Sequence, residues 1–211
     1  MVSKIEEIFY AVVKTRLHVA AIYYFIVCRI IAATAHIDFR PYIPVILAYT
    51  IWHYALYLYD RAYDAHLDNI NNAVESLHGK YRNLLMYISI LLVLAPVLIL
   101  FYYKQPILPY LFFIPITFLY NLRIFPANKA FKHFTLIKNL YSAVLIWPLP
   151  VAVILKFYVG MDNYLIEIMY WFIPFIIFVL MGEIIWDMRD VIGDRSISCC
   201  MLQVISPFLS Y

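Results

Sequence analysis

The chain has 211 residues, of which 65% are hydrophobic and 14% charged, against roughly 45–50% apolar and about 25% charged in an ordinary soluble domain. With a mean hydropathy of +0.81 and only 4 Gly and 11 Pro, the composition excludes a soluble globular protein, a disordered chain and a collagen-like one. A net charge of +3 matters less than where the charges lie, and no nucleic-acid partner is expected.

A helical span takes about 20 apolar residues, so about six or seven fit this length, with no room for a separate soluble domain. The expected fold is an all-α, multi-pass transmembrane bundle, one domain over residues 1–211. Met1 to Arg16 place Ile5, Ile8, Phe9, Val12 and Val13 in a helical stripe with Lys4, Glu6, Glu7 and Lys14 between them, which predicts an interfacial helix lying on the membrane. Apolar runs then follow at Leu17 to Ala35, Tyr42 to Tyr59, Leu84 to Tyr103, Ile107 to Tyr120, Leu140 to Tyr158 and Tyr164 to Ile185, predicting six spans.

The N-terminus and the loops after spans two, four and six hold twelve of the sixteen Lys and Arg residues. The opposite loops hold Arg40, Lys104 and Lys156, and Arg29 lies within span one. By the positive-inside rule the N-terminus and the even-numbered loops are cytoplasmic. The twenty Tyr and four Trp are expected toward the span ends, as interfacial aromatics are, and so are His18, His36, His53, His78 and His133. Cys28, Cys199 and Cys200 show neither disulfide nor zinc spacing and are expected to be reduced.

Six of the eight aspartates fall in two short stretches, Asp60, Asp64 and Asp68 after span two and Asp187, Asp190 and Asp194 after span six. If helical, the first three drift by about 40° per step and the second three lie within about 60° of one another, so each set forms one acidic edge. Like charges so placed repel, and hard carboxylate oxygens suit Mg²⁺, the usual bridge to a substrate phosphate. Among the cations, Lys138 stands beside Asn139 at the mouth of an apolar span, where a charge is costly and often functional. Glu183 and Arg29, within spans six and one, are costly for the same reason.

At these two stretches the chain resembles the UbiA superfamily of intramembrane prenyltransferases. Its second motif, Asp-x-x-Asp-x-x-Gly-Asp-Arg, is met by Asp187, Asp190, Gly193, Asp194 and Arg195. Its first, Asn-Asp-x-x-Asp-x-x-x-Asp or Asn-x-x-x-Asp-x-x-x-Asp, is met by Asp64 and Asp68 with Asp60 in the leading place, and Asn71 and Asn72 follow. The family's next element, Pro-x-Arg-Pro, is replaced by Ala73-Val74-Glu75-Ser76, while Lys138-Asn139 and Trp147 look like its fifth helix. The resemblance implies helices enclosing an intramembrane cavity, with both aspartate motifs at its cytoplasmic mouth. It also implies nine helices, so a chain of six spans with a tail from Ser196 to Tyr211 is expected to be truncated at its C-terminus.

The activity implied is Mg²⁺-dependent transfer of a prenyl group from a prenyl diphosphate to a hydrophobic or aromatic acceptor, in contact with membrane lipid. In that reading Asp64, Asp68, Asp190 and Asp194 are catalytic and hold Mg²⁺ with Asp60 and Asp187. Arg16, Arg61, Asn71, Lys138, Arg189 and Arg195 contact the substrate. The alternatives are a terpene cyclase on the same scaffold and an inactive, truncated membrane protein.

Overall fold

The computed structural model describes residues 6, 7, 9, 17–34, 36–71, 80–122, 130, 134–161, 170, 173, 174 and 176–185, with backbone alone for 17–19, 34, 64–71 and 135. Among them every regular element is helical, as the composition predicts. Helix α1 (Leu17–Thr34) is followed by a 3₁₀ turn (Arg40–Tyr42) and the long α2 (Ile43–Asn71). Next come α3 (Arg82–Tyr102), the short α4 (Leu108–Leu111) and α5 (Phe113–Leu119). Then α6 (Thr135–Leu140) runs through a π stretch (Tyr141–Ile146) into α7 (Pro148–Val153) and a second π stretch (Ile154–Val159). A last apolar helix, α8, covers Ile176–Ile185.

Two helices, Arg82–Tyr102 and Leu136–Val159, are long and apolar enough to cross a membrane. The run predicted as span four departs from a straight helix. Pro115 cannot donate to the carbonyl of Leu111, and the segment divides into α4 and α5 around Phe112. Span two departs the other way, because α2 continues past Tyr59 through the whole acidic stretch.

Helices α2 and α3 pack antiparallel, since Tyr54, Leu58 and Ala62 of α2 bury against Tyr81 and Leu85 at the start of α3. A larger core joins α1, α2, α5 and the 135–159 segment around Tyr24, Tyr49, Trp52, Tyr110 and Phe113, all fully buried. Its rings meet edge to face, Trp52 on Phe113 at 4.9 Å and Tyr49 on Phe113 at 5.1 Å, the arrangement that ring quadrupoles favour. On α3 the buried positions form one stripe, Leu85, Ser89, Val93, Pro96 and Leu100. Its other faces are equally apolar, with Leu91, Leu98 and Phe101 67%, 72% and 73% exposed.

Besides the aromatics at the ends of the apolar runs, this interior holds aromatics well within them, Tyr24 and Tyr49 among them. Tyr24, Tyr49, Tyr54, Tyr110, Tyr141 and Tyr158 are buried, and several of them serve broken helices. Pro150 has no N–H for the carbonyl of Ile146, and Tyr24 Oη donates to that oxygen at 2.8 Å. Tyr23 Oη donates to the neighbouring Trp147 carbonyl at 3.1 Å. Beside Pro96, Tyr110 Oη donates to the Val93 carbonyl at 2.5 Å. Near Pro115, Trp52 Nε1 shares its hydrogen between Thr117 Oγ1 at 2.9 Å and the Phe113 carbonyl at 3.1 Å, and Tyr141 Oη donates to the Ile116 carbonyl. Apolar rings with one polar tip thus reach backbone carbonyls in the core, and at Ile146 the carbonyl reached is the one that a proline leaves without its helical donor.

At one end of the bundle the helices close in the left-handed conformation, with His36 at φ 56°, Lys104 at φ 54° and Gly160 at φ 75°. The bonds Ile37 N to Ala32 O and His36 N to Ala33 O, and likewise Gln105 N to Leu100 O and Lys104 N to Phe101 O, are two Schellman closures. Only Gly adopts this backbone without strain. A Cβ at Gly160 would meet nothing within 4 Å, so Gly160→Ala is expected to lower stability by about 1 kcal/mol through backbone strain alone. Lys104→Gly is expected to shift stability in the opposite direction, and thermal unfolding of both variants in detergent checks the pair.

Candidate functional site

The opposite end of the bundle collects the polar groups. On α2, His53, Tyr57, Asp60, Asp64 and Asp68 follow one another at steps of four, three, four and four residues, within about 80° of one face. The helical condition placed on the first acidic set is therefore met by the backbone. Asp60 is half-buried, with Oδ1 closed off from solvent. Tyr59 packs on Phe118 of α5 at 5.2 Å, and Tyr120 lies 5.2 Å from Tyr141, so the middle of α2 around Tyr59, the end of α5 and the start of the 135–159 segment converge.

Two buried amides stand at this convergence. Asn121, just after α5, is 2% exposed and Asn139, in α6, is 3% exposed. Both amide atoms of Asn121 and Oδ1 of Asn139 lack a hydrogen-bond partner among the described residues. Buried polar atoms are nearly always satisfied, so unsatisfied ones mark places where a further group completes the bonding. One turn beyond Asn139, Ser142 Oγ donates to Glu183 Oε1 of α8 at 2.6 Å, which gives the Glu183 carboxylate a hydrogen-bonded seat. Arg29 faces outward on α1.

Of the predicted site residues, Asp60, Arg61 and Lys138 lie here with their side chains half-buried. Asp64, Asp68 and Asn71 are placed by the α2 backbone on the same helix. Arg16, Asp187, Arg189, Asp190, Asp194 and Arg195 lie outside the described residues. Among the described residues no three His, Cys, Asp or Glu side chains converge as a metal site. The donor set on the α2 face is nonetheless all hard oxygen, with the buried Asp60 Oδ1 at its inner end, and that chemistry fits Mg²⁺.

Farther inside lies a group that sequence reasoning placed elsewhere. His53, expected at the interface, is fully buried at 0% exposure. It stacks on Tyr57 at 5.1 Å with the rings 12° apart, and meets Trp147 at 4.5 Å and Trp52 at 6.1 Å. Its Nδ1 is 2.7 Å from Tyr24 Oη. Tyr24 has one hydroxyl hydrogen, which goes to the Ile146 carbonyl, so the His53 bond is Nδ1–H donating to the tyrosine oxygen. That tautomer leaves a lone pair on Nε2. The four- and three-residue spacing from His53 through Tyr57 to Asp60 puts His53 on the face of α2 that carries the carboxylates, but does not signal its burial.

At the same end Glu7 reaches the start of α3. Lys80 Nζ donates to Glu7 Oε2 at 2.5 Å and Tyr81 Oη donates to the same oxygen at 2.7 Å. These two bonds, Lys80 first, hold the Glu7 carboxyl below its ordinary value of 4.5. The bond to Glu7 holds Lys80 above its ordinary 10.5. A depressed carboxyl stabilises the contact above its unfolded value and loses that contribution as pH falls through the folded one; a raised ammonium loses its own as pH rises. Docking of the N-terminal segment, followed by protease protection, is therefore expected to hold at neutral pH and to loosen below pH 4.5. Glu7→Gln removes that acid-side transition, and added salt weakens the contact because Lys80 is exposed.

Compared with models of protein families, with curated proteins and with solved structures, the chain matches none.

Proposed function

We propose that this chain is a multi-pass membrane protein with UbiA-like chemistry: Mg²⁺-dependent transfer of a prenyl group from a prenyl diphosphate to an apolar acceptor. The observation that carries this reading is the unbroken course of α2 from the buried aromatic core through Asp60, Asp64 and Asp68. It lines an apolar, ring-rich interior and a carboxylate edge along one helix. Support for the membrane comes from the apolar outer faces of α3, which a soluble helix of this length does not present. It comes also from the Ile146 carbonyl, which Pro150 leaves without its helical donor and which the Tyr24 hydroxyl bonds instead, as a solvent without hydrogen-bonding groups favours.

In this reading Asp60, Asp64, Asp68, Asp187, Asp190 and Asp194 hold Mg²⁺, which when bound neutralises the diphosphate and stabilises the charge that develops on it. Lys138, Arg61, Asn71, Arg16, Arg189 and Arg195 bind and orient the diphosphate oxygens. The rings at the core shield the allylic cation from water and face it with π density. The C1–O bond of the prenyl diphosphate breaks with its electron pair leaving on pyrophosphate, an electron pair of the acceptor forms the new bond to C1 and the acceptor gives up a proton, while the isoprenoid tail lies among apolar side chains. The N-terminus and both aspartate stretches face the cytoplasm.

The test is Mg²⁺-dependent pyrophosphate release from a panel of prenyl diphosphates by membranes containing the full chain. Release supports the reading, and its absence from a folded, inserted chain overturns it.

A further inference from the structure

Helix α8 ends two residues before Asp187, so whatever fixes α8 governs where the second aspartate stretch begins. Its outer face is apolar and exposed, with Phe178 and Ile185 73% and 63% open. Its inner face carries Ile176, packed on the main core, and two turns later Glu183, half-buried. Packing of apolar faces is non-directional and by itself lets α8 slide along its neighbour; a hydrogen bond of defined length and angle does not. Ser142 Oγ donates to Glu183 Oε1 at 2.6 Å, the length of a bond to a charged oxygen. Ser142 is buried in the π stretch directly after α6, where the regular hydrogen-bond ladder breaks. A carboxylate within a span is costly, and an apolar residue would pack at this position without that cost.

What the bond accomplishes follows from its place in the chain. Lys138 precedes Ser142 by four residues, and Asp187 follows Glu183 by four. The first step is about 6 Å along a helix axis, and the second covers at most about 14 Å even with the chain fully extended. We infer that Ser142 and Glu183 are positioning residues: their hydrogen bond fixes the register of α8 against the segment that carries Lys138 and Asn139, and so keeps Asp187 within reach of Lys138 at the end of the bundle where Asp60 is half-buried. Neither is a catalytic residue, since both act through the groups they place. The effect on catalysis rests on the diphosphate chemistry proposed above; the register does not.

Cross-linking reads the register and Mg²⁺ dependence reads its catalytic consequence, so the two fail separately. In the full chain with Cys28, Cys199 and Cys200 replaced by Ser, Lys138→Cys and Asp187→Cys are bridged in membranes by bismaleimides of graded length. Intrachain cross-linking is expected, and Ser142→Ala is expected to slow it about tenfold, as loss of a hydrogen bond to a charged group does. Ser142→Thr keeps a hydroxyl and Glu183→Gln keeps an acceptor oxygen, so each is expected to cross-link at close to the parent rate. Glu183→Ala falls with Ser142→Ala, and the double variant falls no further, because one bond is lost in all three. With the natural cysteines, Lys138 and Asp187 in place, Ser142→Ala is expected to raise the Mg²⁺ concentration for half-maximal pyrophosphate release about tenfold, with a smaller change in the rate at saturating Mg²⁺. A role in packing alone lowers the amount of folded protein and leaves that concentration unchanged. No cross-link at any length in the chain with Ser142, a cross-linking rate that Ser142→Ala leaves unaltered, or an unmoved Mg²⁺ requirement in an active enzyme overturns the inference. The first of these needs no variant of Ser142 or Glu183, so it stands even if those fail to fold. Cross-linking as expected without pyrophosphate release keeps the register and removes the diphosphate reading.

Discussion

Asp64→Ala and Asp190→Ala are each expected to lower Mg²⁺-dependent pyrophosphate release by at least about a hundredfold, without lowering the stability of the protein. The first half of this expectation follows from the proposed chemistry. Groups that stabilise charge developing in a transition state inside a low-dielectric site contribute about 10²–10³ in rate when removed singly. The second half follows from the spacing on α2. Asp60, Asp64 and Asp68 stand four residues apart on one helix, and like charges at that spacing destabilise a helix by a few tenths of a kcal/mol per pair. Removing the middle carboxylate relieves two such repulsions, so thermal stability in the absence of Mg²⁺ rises slightly or stays level. A structural role for Asp64 makes the opposite prediction, a loss of folded protein in step with any loss of release. Measuring both quantities on the same preparation separates them. Release that survives either substitution removes the aspartate edges from the mechanism.

The helical class and the ends of α1 and α3 were legible from apolar run length, because a run of about 20 apolar residues bounded by polar ones has few other folds. Run length said nothing of the breaks. Ile107 to Tyr120 divides at Phe112, and Leu140 to Tyr158 carries two π stretches around Pro148 and Pro150. The prolines were visible in the sequence, but that Tyr24 would answer the carbonyl Pro150 frees depends on packing between residues 122 positions apart. For the same reason the tyrosines buried within the runs, Tyr24 and Tyr49, were not foreseen. Tyrosine suits the water interface and a dry core with a carbonyl to bond equally well, and composition does not distinguish them. The acidic stripe of α2 was legible because it is local, a matter of period on one helix. The burial of His53 was not, since nothing in its own neighbourhood announces that Tyr24 and Trp147 close over it.

Tyr24→Phe is expected to be the most destabilising single-atom deletion in the core, at about 2–4 kcal/mol, against about 1 kcal/mol for Tyr23→Phe. The two tyrosines are adjacent, and both donate to carbonyls of the segment around Pro148, at 2.8 Å from Tyr24 to Ile146 and at 3.1 Å from Tyr23 to Trp147. They differ in what they leave behind. Loss of the Tyr23 hydroxyl strands one carbonyl at a half-buried position, whereas loss of the Tyr24 hydroxyl strands the Ile146 carbonyl and the Nδ1–H of His53 together, both inside the core. Hydrogen bonds between membrane helices average only about 0.6 kcal/mol, because the separated helices find other partners. That discount does not apply to Ile146. Pro150 denies its carbonyl the usual donor four residues on, so the separated helix has little to offer it, and the Tyr24 bond keeps its full value. Unfolding in mixed detergent micelles, followed for both variants, decides the matter. Equal and small losses show that the core rearranges to satisfy these groups without Tyr24, and in that case the tautomer assigned to His53 loses its anchor as well.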